Sequence, residues 1–327
     1  MRILLSSNHC YPAFSGLGYG RQPKERPSGS GQHIHDLLAA GLALLGHEVF
    51  YLLPKGASEP LPAGVAMLQQ PVDDVDIFHN QAYQYEDVVE YMASRGKPWV
   101  TTCHLDMRER GLNRPAVPQN WIYVSKTLAH SHGSERYVLN GIYPDLYRFS
   151  REKEDYFLFM AAMNWADDKG LDIVLQLAAD LKIKLIVAGT GTTWATVNAI
   201  ADRCSRAGAE FVGDTQGPAK ANFLAKACGL LSPSKLNEAC SLVFAEALMS
   251  GTPAICSDKG AYPELVSPDV GFVCHELQDY RDAIRNVGSI SPDRCREKAW
   301  NEFHYLRMAR DYVREYQLEI AANAKSS

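Results

Sequence analysis

Glu238 and Glu246 stand eight residues apart in the segment 237–251, NEACSLVFAEALMSG, across a loop-to-helix junction. Ser241 is a natural N-cap, which makes Leu242 the first helical residue and carries Glu246 past the capping-box position. Helix capping therefore does not explain Glu246. Leu242, Val243, Phe244, Ala245, Ala247, Leu248 and Met249 are apolar on nearly every side, so the helix is expected to be buried. A lone carboxylate there is costly without hydrogen-bonding partners. A pair of ligand hydroxyls would satisfy it; the alternative is a salt bridge to a neighbouring Lys or Arg. At the helix start, the N–H groups of Ser241, Leu242 and Val243 and the positive end of the dipole suit phosphate oxygens.

A second candidate lies upstream. Asp167-Asp168-Lys169-Gly170 precedes a helix beginning at Leu171, and Lys169 puts a cation where the helix dipole disfavours one. A diphosphate would reverse that penalty; a solvated lysine balanced by the two aspartates is the plainer account. Gly189-Thr190-Gly191 raises the dinucleotide-binding fingerprint, but Trp194 replaces its third glycine and no ribose-binding acid ends the next strand. Gly16, Gly18 and Gly20 run into Pro23 and Pro27 instead of a helix, so they fail it too.

The elements that must position these groups alternate along the chain. Strand-like runs are read at 2–6, 48–53, 76–79, 99–103, 121–124 and 136–139, then at 156–163, 184–188, 210–212, 229–232, 253–256 and 271–274. Helical patterns separate them, as in 32–45, where Ile34, Leu37, Leu38, Gly41, Leu42 and Leu45 share a stripe and Gly46 supplies the stop. Leu171, Val174, Leu175, Ala178 and Leu181 repeat that pattern. Two sets of about six strands with intervening helices imply two doubly wound parallel sheets. The polar stretch 149–155 reads as the linker, giving domains at 1–150 and 151–302. Residues 12–31, rich in Gly, Pro and Ser with Arg21, Lys24 and Arg26, are expected to form a long loop. A helical tail at about 295–320 carries Trp300, Phe303, Tyr305, Tyr312 and Tyr316 and is expected to pack on the rest.

Composition narrows the function. The 327 residues are 46% hydrophobic, which fits an ordinary folded protein, and the formal charge of -5 offers no broad attraction for nucleic acid or anionic lipid. No apolar run approaches the roughly 20 residues needed to span a bilayer, and the N-terminus lacks the pattern of a secretory signal. A cytoplasmic protein is expected. The eight cysteines show no zinc spacing and are read as reduced thiols, and His33 with His35 and His130 with His132 are two apart, so they do not share a helical face. No metal site is expected.

With these residues assembled, the chain resembles the family 4 glycosyltransferases of the GT-B fold class over almost its whole length. Four blocks carry the resemblance: Gly29-Ser30-Gly31 leading through a helix to Gly46-His47-Glu48-Val49; Val124-Ser125-Lys126 with Leu139-Asn140-Gly141-Ile142 and Phe149; Lys169-Gly170; and Ser232-Pro233-Ser234 through Glu238 and Glu246 to Gly251-Thr252-Pro253.

The resemblance implies two Rossmann-like domains facing a central cleft, with the acceptor mainly on the first, the donor mainly on the second, and the helix at about 303–321 packing back on the first. It implies a nucleotide-sugar donor, a UDP-sugar favoured, and a small-molecule or saccharide acceptor. Transfer would retain anomeric configuration without cofactor or metal. By position, Glu246 would hold the ribose and Glu238 hydroxyls of the transferred sugar. The amides at Ser241, Leu242 and Val243 and the Lys169 cation would hold the diphosphate, with Gly31 approaching from the acceptor side. His104 would lie over the sugar, and Asn164 and Val212 would complete the donor site. Asn164 stands where the family usually has an arginine, five residues before the lysine, so the leaving group lacks one cation. Arg21, Lys24 or Arg26 would have to substitute. Otherwise the protein would bind nucleotide-sugar with weak or lost transfer. Another GT-B-like enzyme, an epimerase or a phosphorylase, is the remaining alternative. Ser241 also replaces a common glycine.

Overall fold

Apolar runs flanked by polar turns become parallel strands in the structure, a computed structural model that describes residues 1–6, 30–52, 61–81, 86–106 and 120–326. Ile3, Leu4 and Leu5 are buried without alternation, as a strand covered on both faces requires. They lie in β1 (Arg2–Ser6), followed by α1 (Ser30–Leu44), β2 (Glu48–Leu52), β3 (Val65–Leu68), β4 (Ile77–Asn80), α2 (Glu86–Ser94), β5 (Trp99–Cys103), β6 (Trp121–Tyr123) and α3 (Lys126–Ser131). The strands form one sheet in the order β3-β2-β1-β4-β5-β6, all neighbours parallel.

The second sheet repeats the scheme. It is built from β7 (Phe157–Met160), α4 (Leu171–Leu181), β8 (Leu185–Ala188), α5 (Trp194–Arg206), β9 (Glu210–Gly213), α6 (Gly217–Lys226), β10 (Gly229–Ser232), α7 (Leu242–Met249), β11 (Ala254–Ser257), α8 (Tyr262–Leu265), β12 (Gly271–Cys274), α9 (Leu277–Asn286) and α10 (Pro292–Phe303). Its order is β12-β11-β10-β7-β8-β9, again parallel throughout. Counted from its own first strand, this is the same doubly wound order as in the first sheet, and the direction of winding reverses between β7 and β10. Leu171, Val174, Leu175 and Ala178 of α4 are buried against this sheet, as their spacing requires.

The chain divides into one unit of Met1–Ile142 with Phe303–Ser327 and another of Tyr143–Glu302. The boundary thus precedes the polar stretch 149–155, which belongs to the second unit. There Phe149 lies under the guanidinium groups of both Arg151 and Arg296, each 5.3 Å from the ring centroid, and Arg151 binds Asp293 at 2.8 and 2.7 Å. Charged residues held this way are surface structure of a unit, not a tether.

Three elements differ from the sequence reading. Val65–Leu68 is a strand absent from the sequence reading: its run is apolar but only four residues long, and at the sheet edge it stays partly exposed. Residues 136–139 make only an isolated bridge, Tyr137 against Tyr123. The tail is two helices, α10 and α11 (Tyr305–Ser326), because at His304 the backbone leaves the helix to bridge Ile142. Tyr305, Met308, Ala309, Tyr312 and Tyr316 of α11 are buried within the first unit, with Ala309 against Gly41 of α1, whereas Trp300 stays half-exposed beside Arg296. No helix of the described residues is long and apolar enough to cross a membrane. Cys10 and most of the 12–31 loop, with Arg21, Lys24 and Arg26, lie outside the described residues. The other seven cysteines are free thiols.

Candidate functional site

In an open parallel sheet, the loops leaving the two strands on either side of the winding reversal diverge and leave a crevice at their carboxyl ends. In the second unit those loops follow β7 and β10, and they carry Lys169 and Glu238. The structure joins them. Lys169 Nζ donates to Glu238 Oε1, and the Lys235 amide donates to the Asp168 carbonyl at 2.8 Å. Gly170 adopts φ +83°, and a Cβ built on it would lie 2.2 Å from the Pro233 carbonyl oxygen. Only glycine lets the lysine loop press so closely on the glutamate loop.

Glu238 is held from its other side as well. Its carbonyl accepts from the Ala261 amide at 2.8 Å, and a Cβ on Gly260, at φ +59°, would stand 2.3 Å from both its nitrogen and its oxygen. Two residues after that glycine, the buried Tyr262 hydroxyl meets Ser232 Oγ at 2.5 Å and the Ser241 side chain. Burial, followed by the negative charge of Glu238, pushes the Tyr262 phenol well above its ordinary pKa. Ser241 occupies the N-cap position of α7, but its side chain makes no capping bond because it is turned to Tyr262. The first-turn amides of α7, with no intrahelical acceptor, sit just after the Glu238 loop.

One turn further along α7, Glu246 is 6% exposed. Lys220 of α6 reaches both of its oxygens, at 2.7 and 2.6 Å, and the Tyr147 hydroxyl donates to Oε1 at 2.8 Å. The salt bridge left open by the sequence is therefore present. It is compatible with a binding role, because a carboxylate already dehydrated and fixed in direction is also a hydroxyl acceptor of defined geometry. Lys220 and Tyr147 were missed: they lie 26 and 99 residues from Glu246, and no local pattern marks them.

Asn164 has its amide committed to Thr192. Its Nδ2 donates to Thr192 Oγ1 and its Oδ1 accepts from the Thr192 amide, both at 2.7 Å. Asn164 thereby pins the loop after β8 that contains Gly189, Thr190 and Gly191. Arg203 of α5 is held by Asp167 at 2.6 Å, which keeps the Asp167 carboxyl below its ordinary pKa. Val212 is partly buried in β9.

In the first unit, Gly31 lies in the first turn of α1, where an added Cβ would meet nothing within 4 Å. His104 follows β5 directly, with its ring centroid 5.8 Å from that of His35, and burial lowers its pKa to about 4. Fully buried His79 has both ring nitrogens engaged, by Tyr316 Oη and Thr102 Oγ1 at 2.6 Å each. Thr102 Oγ1 in turn meets Tyr312 Oη at 2.7 Å. Among the described residues no cluster of three metal-ligating side chains occurs.

Residues 147–303 match the family model described as glycosyl transferases group 1. No curated protein matches the sequence. Among solved structures, the chain is similar to AviGT4, a glycosyltransferase involved in avilamycin A biosynthesis, with 23% identity, a TM-score of 0.73 and 98% of each chain covered. It is also similar to sucrose-phosphate synthase from Thermosynechococcus elongatus, with 18% identity, a TM-score of 0.73 and coverage of 98% of this chain and 99% of that one. A third likeness is to Anabaena HepE in complex with UDP-glucose, with 16% identity, a TM-score of 0.66 and full coverage of both chains. The fold is GT-B: two Rossmann-like α/β domains.

Proposed function

We propose that this chain is a glycosyltransferase that moves a sugar from a nucleotide-sugar to a hydroxyl of a small or saccharide acceptor with retention of anomeric configuration, as in family 4. The observation that carries the reading is the Lys169–Glu238 pair at the winding reversal of the second sheet, next to the open amide end of α7. The match of residues 147–303 to group 1 glycosyl transferases supports it, since that span contains both ion pairs. A UDP-sugar is the favoured donor, in line with the UDP-glucose bound by HepE.

In this reading Glu246 accepts from the ribose hydroxyls while Lys220 and Tyr147 keep it aligned. Lys169 and the α7 amides at Ser241, Leu242 and Val243 neutralise the leaving diphosphate. Glu238 binds hydroxyls of the transferred sugar, and His104 is assigned to the same sugar. The acceptor oxygen bonds to the anomeric carbon as the bond to the diphosphate oxygen breaks, and the acceptor proton passes to a diphosphate oxygen. The protein is expected to work as a non-membrane-spanning, cytoplasmic enzyme without cofactor or metal.

A second reading, nucleotide-sugar binding without efficient transfer, draws on the Asn164 amide being spent on Thr192 and Arg203 being spent on Asp167. Incubation with UDP-, GDP- and ADP-sugars and an acceptor panel, following nucleotide release, separates the two. Release accelerated by an acceptor supports transfer; thermal stabilisation by a nucleotide-sugar with no release supports binding alone. Neither effect with any donor would sink both.

A further inference from the structure

His35 of α1, His79 of β4 and His104 at the end of β5 come from three separate elements and converge in the first unit. His35 is 4% exposed, and its ring faces that of His104 at 5.8 Å with an interplanar angle of 49°. His79 lies within electrostatic reach of His104 and is locked by Tyr316 and Thr102.

Two acids neighbour these histidines in the sequence. Asp36, adjacent to His35, accepts from the Tyr51 hydroxyl at 3.0 Å, and Asp106 lies 3.7 Å from His132 Nε2. From α11 come the phenols of Tyr312 and Tyr316, which are bonded to the Thr102–His79 chain. His104 thus has the imidazoles of His35 and His79 as neighbours, and burial is what depresses its pKa.

We propose that His35 is a positioning residue for His104: its buried ring walls off one flank of the His104 imidazole and holds it in one orientation. His104 then meets its partner as a neutral hydrogen-bonding group. That the partner is a hydroxyl of the transferred sugar rests on the function proposed above; the pairing of the two rings does not.

The test uses the full chain with His35→Ala, His35→Phe and His35→Glu, and records histidine side-chain titrations by NMR together with UDP-glucose turnover. In the wild type, His104 stays neutral down to about pH 5. His35→Ala admits water and raises the His104 titration by about one to two pH units, and it lowers kcat roughly tenfold with little change in donor KM. His35→Phe restores the wall, the titration and the rate. His35→Glu raises the titration further and makes turnover fall as the pH drops below neutrality.

An unmoved His104 titration in His35→Ala and His35→Glu overturns the proposal. If His35→Glu does not fold, the alanine and phenylalanine pair still decides. If the titration shifts as expected but turnover is the same in all variants, the pairing holds and the sugar-facing role of His104 fails. If His104→Ala abolishes turnover while the His35 variants leave both readouts unchanged, the pairing fails and the functional reading survives.

Discussion

Lys169 and Glu238 are 69 residues apart and bonded side chain to side chain, each in the segment that follows one of the two strands where the second sheet reverses its winding. Neither charge is solvated independently of the other, so a ligand entering this crevice meets a preset cation and a preset acceptor instead of two mobile side chains. If the pair acts as a unit, its members should be non-additive. Glu238→Ala and Lys169→Ala should each lower turnover by about 10²- to 10³-fold, and the double variant should be little worse than the poorer single one. Nucleotide affinity should survive Glu238→Ala. Single-turnover kinetics with a UDP-sugar checks this; additive losses would show that the two residues act separately.

The Glu246 carboxylate depends on Lys220 for its charge balance. Lys220→Met leaves a buried anion with one hydroxyl donor, and should destabilise the protein by about 1–3 kcal/mol, less in Lys220→Met/Glu246→Gln because both charges are then gone. UDP affinity should fall in both variants. Calorimetric titration and thermal unfolding report the two effects separately, and unchanged UDP affinity would make the pair purely structural.

Gly170 and Gly260 set the spacing of the site. Alanine at either position combines a positive φ with a backbone clash at 2.2 or 2.3 Å. Gly170→Ala should push the Lys169 loop off Pro233, and Gly260→Ala should displace the Glu238 backbone. Each should cost about 1–3 kcal/mol and lower turnover more than tenfold. Normal turnover in Gly260→Ala would mean that Glu238 tolerates movement.

His79 makes the first unit acid-sensitive. Burial, followed by the charge of His104, lowers its pKa to about 3, whereas in the unfolded chain it titrates near its ordinary 6.5. Below that value the unfolded state binds a proton that the folded state does not, so stability falls with pH through this window, by up to about 1.4 kcal/mol per pH unit. Unfolding midpoints measured from pH 7.5 to 5 should decline. The decline should be shallower in His79→Gln, and an identical slope would move the sensitivity to other groups.

The kinds of element and most of the chemistry-bearing residue types are legible in the amino-acid order. Ile3 to Leu5 had to be a covered strand, and Leu171, Val174, Leu175 and Ala178 had to be one helix face, because side-chain periodicity is a local property of the backbone. It also marked Glu246 as a carboxylate in need of partners, since an apolar helix makes an unpaired charge costly wherever it folds. It misread Val65–Leu68, residues 136–139 and the break at His304. A four-residue apolar run is too short to show a period, and a bridge to Ile142 is invisible from either segment alone.

Tertiary structure alone decided which residues meet. That Lys169 finds Glu238, that Lys220 and Tyr147 finish Glu246, that Asn164 serves Thr192, and that His35 lies against His104 all follow from strand order and loop length. Those features bring distant segments together across a sheet, and pairwise distance between such segments is not encoded in the spacing within any one of them.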